Sequence, residues 1–169
     1  NMNISAKNVA AKIFVKDFTH LEATSSAKIL VKDKFTQDKT DVEVSSSGRI
    51  TGNLEANDFS VDVSSSGYFS GEIWAVNLDA EATSSGDINL SGKAKNAALK
   101  ASSAGTVDAG KLTAEISDIQ ASSAGNVTVA TTNQLNASAS SGGNIAVYRK
   151  GNLHIVSQNE SSGGSVTIN

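Results

Sequence analysis

The stretch that decides the fold runs Phe59-Ser60-Val61-Asp62-Val63-Ser64-Ser65-Ser66-Gly67-Tyr68-Phe69. Apolar residues alternate with polar ones at Phe59, Val61 and Val63, and Phe69 resumes the apolar character two residues past Gly67. Alternation of period two is the mark of a strand with one face buried, and the small residues between are where the chain bends. The phrase recurs in both directions. Toward the N-terminus it returns as Val44-Ser45-Ser46-Ser47-Gly48 and Ala23-Thr24-Ser25-Ser26-Ala27. Toward the C-terminus come Ala82-Thr83-Ser84-Ser85-Gly86, Ala101-Ser102-Ser103-Ala104-Gly105 and Ala121-Ser122-Ser123-Ala124-Gly125. Ala139-Ser140-Ser141-Gly142-Gly143 and Glu160-Ser161-Ser162-Gly163-Gly164 complete eight copies. From Thr24 to Ser161 the steps are 21, 19, 19, 19, 20, 18 and 21 residues.

The flanks repeat column by column. Two residues beyond the Gly position stand Ile29, Ile50, Phe69, Ile88, Val107, Val127, Ile145 and Val166. A second apolar segment follows in most copies (Leu54 and Ala56, Ile73 and Ala75, Leu112 and Ala114), and a third leads into the next Ser phrase. No copy carries an apolar stripe at helical spacing, so helix is excluded for the bulk of the chain. A sandwich or a meander of hairpins has no reason to repeat side chains in register, whereas a solenoid stacks equivalent positions in files. The spacing therefore predicts an all-β fold, a single-stranded parallel β-helix over residues 1–169, with about eight coils of 18–21 residues and a length of roughly 40 Å. Coil lengths that vary, together with the right-handed preference of parallel crossovers, predict a right-handed winding. The late coils have a thin core of Ala101, Ala121 and Ala139, and Glu160 interrupts the apolar column, as befits a terminal cap or a continuation of the chain.

Composition limits function. Of 169 residues, 26 are Ser, 22 Ala, 15 Asn and 14 Gly, with no Cys and no Pro. Without Cys there is no disulfide framework and no thiolate metal or redox site. The formal net charge of −3 gives no electrostatic case for nucleic acid. No apolar run reaches the roughly 20 residues of a membrane-spanning helix. With Asn1 as the first residue, any targeting segment is expected to have been removed or to lie outside the sequence.

Continuing the alternation through the Ser phrase assigns directions within it. If Val42, Val44 and Ile50 point inward, so does the file Ser25, Ser46, Ser65, Ser84, Ser103, Ser123, Ser141 and Ser162, which is Ser in all eight copies. A nucleophile is needed once, not eight times. The expected role is structural: a small inward hydroxyl bonding the backbone groups that the bend removes from the ladder. The Gly file has the same logic, either a positive φ or a close backbone approach.

These residues carry a resemblance. The Ser-Ser-Ser-Gly and Ser-Ser-Ala-Gly phrases, each followed by an Ile or Val two residues on and recurring near every twenty residues, resemble the head GIN domain of putative autotransporter adhesins. Lys12-Ile13-Phe14-Val15 and Leu21-Glu22-Ala23 resemble that family's early strands, with its first strands missing ahead of Asn1. The resemblance implies a β-helical fold, a secreted or cell-envelope location and an adhesive role toward a surface protein or glycan. It supplies no catalytic residues.

The search for chemistry is short. His20 and His154 stand too far apart along a rod to share a metal or a proton. No metalloprotease, hydrolase, P-loop or dinucleotide motif is present. Because β-helices host polysaccharide lyases and hydrolases, carboxylates converging on one face need attention. An outward acidic file precedes the Ser phrase at Glu22, Glu43, Asp62 and Glu81, with Asp41 and Asp79 two residues earlier in their coils. Like charges stacked at strand spacing repel, so Ca2+ or neighbouring lysines would relieve them, and a solvated face is the simpler reading. Tyr68 and Trp74, outward on one coil, form a candidate platform for a sugar ring. The expectation is a non-enzymatic adhesion or scaffold module, with glycan binding as the alternative and polysaccharide cleavage behind it.

Overall fold

A computed structural model describes residues 10–169. Its strands are β1 (His20–Ala23), β2 (Lys28–Leu30), β3 (Phe35–Val44), β4 (Arg49–Thr51), β5 (Leu54–Val63) and β6 (Tyr68–Ala82), then β7 (Asp87–Ala101), β8 (Thr106–Ala121), β9 (Asn126–Ala139), β10 (Asn144–Arg149), β11 (His154–Glu160) and β12 (Ser165–Ile168). They join in a single 12-stranded sheet in which each pairing is parallel. Among the described residues there is no helix. The β-solenoid of about eight turns read from the Ser phrases is the fold.

Pairing shows how each coil closes. Tyr68 pairs with Asp87 and Ala82 with Ala101, so both ends of β6 meet their equivalents one repeat later. A straight strand of 15 residues would span about 50 Å. Since the chain instead returns to stack on itself, β6 must bend around the core. It does so where its burial leaves strict alternation, at Gly71–Glu72 and at Val76–Asn77. Pairing with both neighbouring coils skips Val76. With the Ser phrase as the third corner, the coil has three faces. Behind the first lie Ile50, Phe69, Ile88, Val107, Val127 and Ile145. Ile73, Leu112 and the small residues Ala94 and Ala114 lie behind the second, and Leu78, Ala80, Leu99 and Ile119 behind the third, all buried. The last column narrows to Ala82, Ala101, Ala121 and Ala139, each at most 2% exposed.

The Ser phrase itself departs from the reading of its sequence. Ser25, Ser46, Ser65, Ser84, Ser103, Ser123, Ser141 and Ser162 are exposed, not inward. Each has a left-handed backbone, with φ between 48° and 54°, and the next residue is left-handed as well. In the third copy the Gly67 N–H donates to the Ser64 carbonyl at 2.8 Å, closing a tight turn whose two central residues, Ser65 and Ser66, both have positive φ. Alternation cannot be carried through such a turn, because two left-handed residues rotate the chain out of strand phase. Both central side chains are therefore thrown outward, and the inward place falls to Gly67. The backbone, not the hydroxyl, does the bonding: the Ser66 N–H donates to the Ser84 carbonyl one coil on at 3.2 Å, as Ser47 does to Ser65 and Ser85 to Ser103.

Two other local features follow from the stacking. Four residues, Val31 to Lys34, connect Leu30 to Phe35, where the next coil needs only Gly52 and Asn53 between the paired Thr51 and Leu54. The two extra residues make a loop that stands out from the first corner. At the other end Glu160 takes the place of Ala139 one coil on, and its Oε1 accepts the Val166 N–H at 2.9 Å. The break in the apolar column thus covers a backbone donor on the last coil. Leu21-Glu22-Ala23 lies in β1, but Lys12-Ile13-Phe14-Val15 forms no strand, and Ile13 and Phe14 are 78% and 81% exposed.

Candidate functional site

The acidic residues stack as their spacing implies. Glu22 pairs with Glu43, Glu43 with Asp62 and Asp62 with Glu81, after which the file passes to Lys100. A parallel outward file on the third face holds Asp41, Ser60, Asp79, Ala98 and Asp118. Asp62, in the middle, has its carboxyl held above the usual carboxylate range by desolvation first, then by Glu81, Asp79 and Glu43, with Lys100 opposing them. Among the described residues no three His, Asp or Glu side chains come together in a way that could hold a metal ion. A shallow groove of about 490 Å³ runs beside these carboxylates. Its wall is a ladder in which Asn77 donates to Asp58 at 2.7 Å and Asn96 donates to Asn77 at 2.9 Å. That ladder uses one N–H of each of these two amides between coils.

Tyr68 and Trp74 do not form a pair. The corner at Gly71–Glu72 puts Tyr68 on the first face and Trp74 on the second. Tyr68 is half-buried with the Arg49 guanidinium 4.1 Å from its ring centroid, one coil below. Trp74 is 43% exposed. The Lys34 and Lys93 ammonium groups stand 5.8 Å and 5.3 Å from its ring, one from each direction along the solenoid. Lys34 comes from the protruding loop and also pairs with Glu55 at 2.9 Å. Between the loop and the indole is a recess of about 360 Å³ lined by Leu30, Lys32, Lys34, Asn53, Glu72 and Trp74. The loop is what makes it concave.

Pairing extends the Trp74 file across four further coils, through Lys93, Thr113 and Ala130 to Tyr148. Tyr148 is 47% exposed and leans back along the axis, so that a Cβ on Gly110 would lie 3.4 Å from its ring edge. Lys150 leans the same way, its Nζ donating to Thr113 Oγ1 at 3.1 Å. Counting from the Ser phrase misses this alignment. Trp74 is seven residues past Gly67 and Tyr148 only five past Gly143, because β9 cuts the first corner, Ala109–Thr113 being matched by Val129–Ala130.

The comparisons bear on fold and family. The chain is similar to the crystal structure of a putative lipid binding protein from Parabacteroides distasonis, with a TM-score of 0.68 and 20% identity over 91% of this chain and 63% of that one. It is also similar to that of a putative adhesin from Bacteroides fragilis, with a TM-score of 0.65 and 16% identity over 91% of this chain and 92% of that one. At these identities the likeness is one of fold, and the chain spans less than two thirds of the first of these proteins. No functionally curated protein matches it. A family profile described as putative auto-transporter adhesin, head GIN domain, matches residues 1–151. The chain belongs to that family, as its Ser-Gly phrases imply.

Proposed function

We propose that this chain is a non-enzymatic adhesion module, exported to the bacterial cell envelope or beyond, that binds a surface glycan on its second face. The observation that carries this reading is Trp74, a large indole left 43% exposed beside a recess of about 360 Å³. Burying an indole would contribute on the order of 2–3 kcal/mol, so an exposed one with the exposed Leu30 beside it in the recess is a feature with a use. Its flat face suits the C–H face of a pyranose, and Asn53 and the lysines around it suit the hydroxyl rim. The adhesin description of the family supports a binding role and a surface location. The third face is the weaker candidate because part of its groove wall's hydrogen bonding is spent between coils and none of the residues lining the groove is an exposed aromatic ring.

The test is a glycan panel with the intact chain and Trp74→Ala, read by binding and by release of reducing sugar. Binding that falls about tenfold or more in Trp74→Ala, with an unchanged melting temperature and no sugar release, is expected. Binding that ignores Trp74, or sugar release by the wild-type chain, would overturn the proposal.

A further inference from the structure

We infer that the ligand is an anionic polysaccharide lying along the solenoid axis on the second face, with Trp74 and Tyr148 as two stacking positions and Lys93, Lys111 and Lys150 as its counter-charges. This inference rests on the glycan reading above and adds ligand charge, direction and a second aromatic.

Geometry supplies the direction. The Trp74 and Tyr148 backbone positions are joined by four consecutive strand pairings, so they stand about 19 Å apart on a line parallel to the axis. They share one file of paired backbone positions, in which Ala130 is buried, and the Tyr148 ring reaches back along the axis to the corner at Gly110. A linear polymer can lie over both rings. A bilayer would meet the recess beside Trp74 as a gap, whereas a sugar ring can enter it.

Charge supplies the class. Among the described residues the ion pairs are Lys34 with Glu55 and Lys39 with Asp41. Lys93, Lys111 and Lys150 therefore have no carboxylate partner, and Lys93 and Lys150 lie between or beside the two aromatics. Of the nearby carboxylates, only Glu55 is neutralised by an ion pair. Glu55 is paired with Lys34, Asp108 accepts the Gly110 N–H at 3.1 Å, and Asp33 and Glu72 line the recess on the N-terminal side of Trp74. A chain running from Trp74 toward Tyr148 leaves that mixed region and passes Lys93 and Lys150, with Asp108 at the Gly110 corner on one side and the exposed Glu115 on the other. The third face, with Asp41, Asp79, Asp118, Glu43, Asp62 and Glu81, would repel the same polymer and confine it to the second. Lysine is suited to this task as a compact charge that meets a carboxylate or sulfate without demanding one geometry.

The experiment titrates the intact chain with a polyuronate, with a neutral glucan of equal length, and with phosphatidylcholine vesicles containing phosphatidylglycerol. The polyuronate should bind and the glucan should bind at least tenfold more weakly, with polyuronate affinity falling as salt is raised. Trp74→Ala and Tyr148→Ala should each weaken a long polyuronate about tenfold, while a disaccharide, too short to reach both rings, should feel only Trp74→Ala. The double variant Lys93→Gln/Lys150→Gln should weaken the polyuronate far more than the glucan and so remove most of the preference for the acidic polymer. Equal binding of acidic and neutral polymers that still depends on Trp74 would overturn this inference and leave the glycan reading standing. A long polymer indifferent to Tyr148→Ala would do the same. Binding of vesicles and of no glycan would overturn both.

Discussion

Gly67 lies against the backbone of Val44 on the coil below, and a Cβ built on it would stand 2.7 Å from the Val44 carbonyl oxygen. Its own φ is not in the left-handed region. What requires glycine here is the approach of one coil to the next, and the same contact recurs at Gly86 against Val63 and Gly105 against Ala82. In the first copy the position is Ala27, which is exposed. Gly67→Ala should therefore destabilise the chain by about 3 kcal/mol, since backbone cannot move aside as a side chain can. Urea unfolding of the two proteins measures it, and a loss below about 0.5 kcal/mol would refute the close-contact account.

The two residues before each glycine carry the opposite constraint. Ala104 has φ near 61° and is exposed, so its methyl group makes no core contact. A left-handed backbone costs a non-glycine residue about 1–2 kcal/mol, while glycine's larger unfolded-state entropy costs about 0.5–1 kcal/mol. Ala104→Gly should thus stabilise by about 0.5–1 kcal/mol. Ser84→Val should destabilise by about 1–3 kcal/mol, because a β-branched side chain tolerates φ near 49° poorly. Melting temperatures moving in opposite directions for the two variants would check the turn geometry.

Ser117 and Thr131 meet inside the solenoid, fully buried, with their hydroxyl oxygens 2.8 Å apart. Ser117→Ala strands the Thr131 hydroxyl and should cost about 1–3 kcal/mol. The double variant Ser117→Ala/Thr131→Val removes both polar groups and should regain most of that loss, a non-additivity that a double-mutant cycle reads directly. Additive losses would argue that the two hydroxyls act separately.

Asp62 makes stability depend on pH in a direction opposite to a salt-bridged carboxylate. Its pKa is raised in the fold by desolvation, Glu81, Asp79 and Glu43, so the folded chain holds this proton more tightly than the unfolded chain does. The contribution of Asp62 is most favourable below the unfolded value of about 3.8 and is lost as pH rises through the raised folded value. Asp62→Asn should accordingly raise the melting temperature at neutral pH, with the advantage shrinking as the solution is acidified through that window. An advantage that stayed constant or grew toward low pH would contradict this linkage.

Much of this protein is written in local sequence. The twenty-residue period, the parallel stacking and the inward files of Ile, Val, Leu and Ala follow from side-chain alternation and from repetition by column, which need only neighbours along the chain. The acidic file from Glu22 to Glu81 was legible for the same reason, since those residues hold one place relative to each Ser phrase. Inside the phrase, alternation misled, because the left-handed turn turns Ser65 and its equivalents outward. Tertiary structure alone decided which outward residues become neighbours at a distance. The corner at Gly71–Glu72 separates Tyr68 from Trp74, while the shortened corner of β9 brings Tyr148 into the file of Trp74. The phase of each face depends on how many residues every corner consumes, and only the stacked backbone fixes that number.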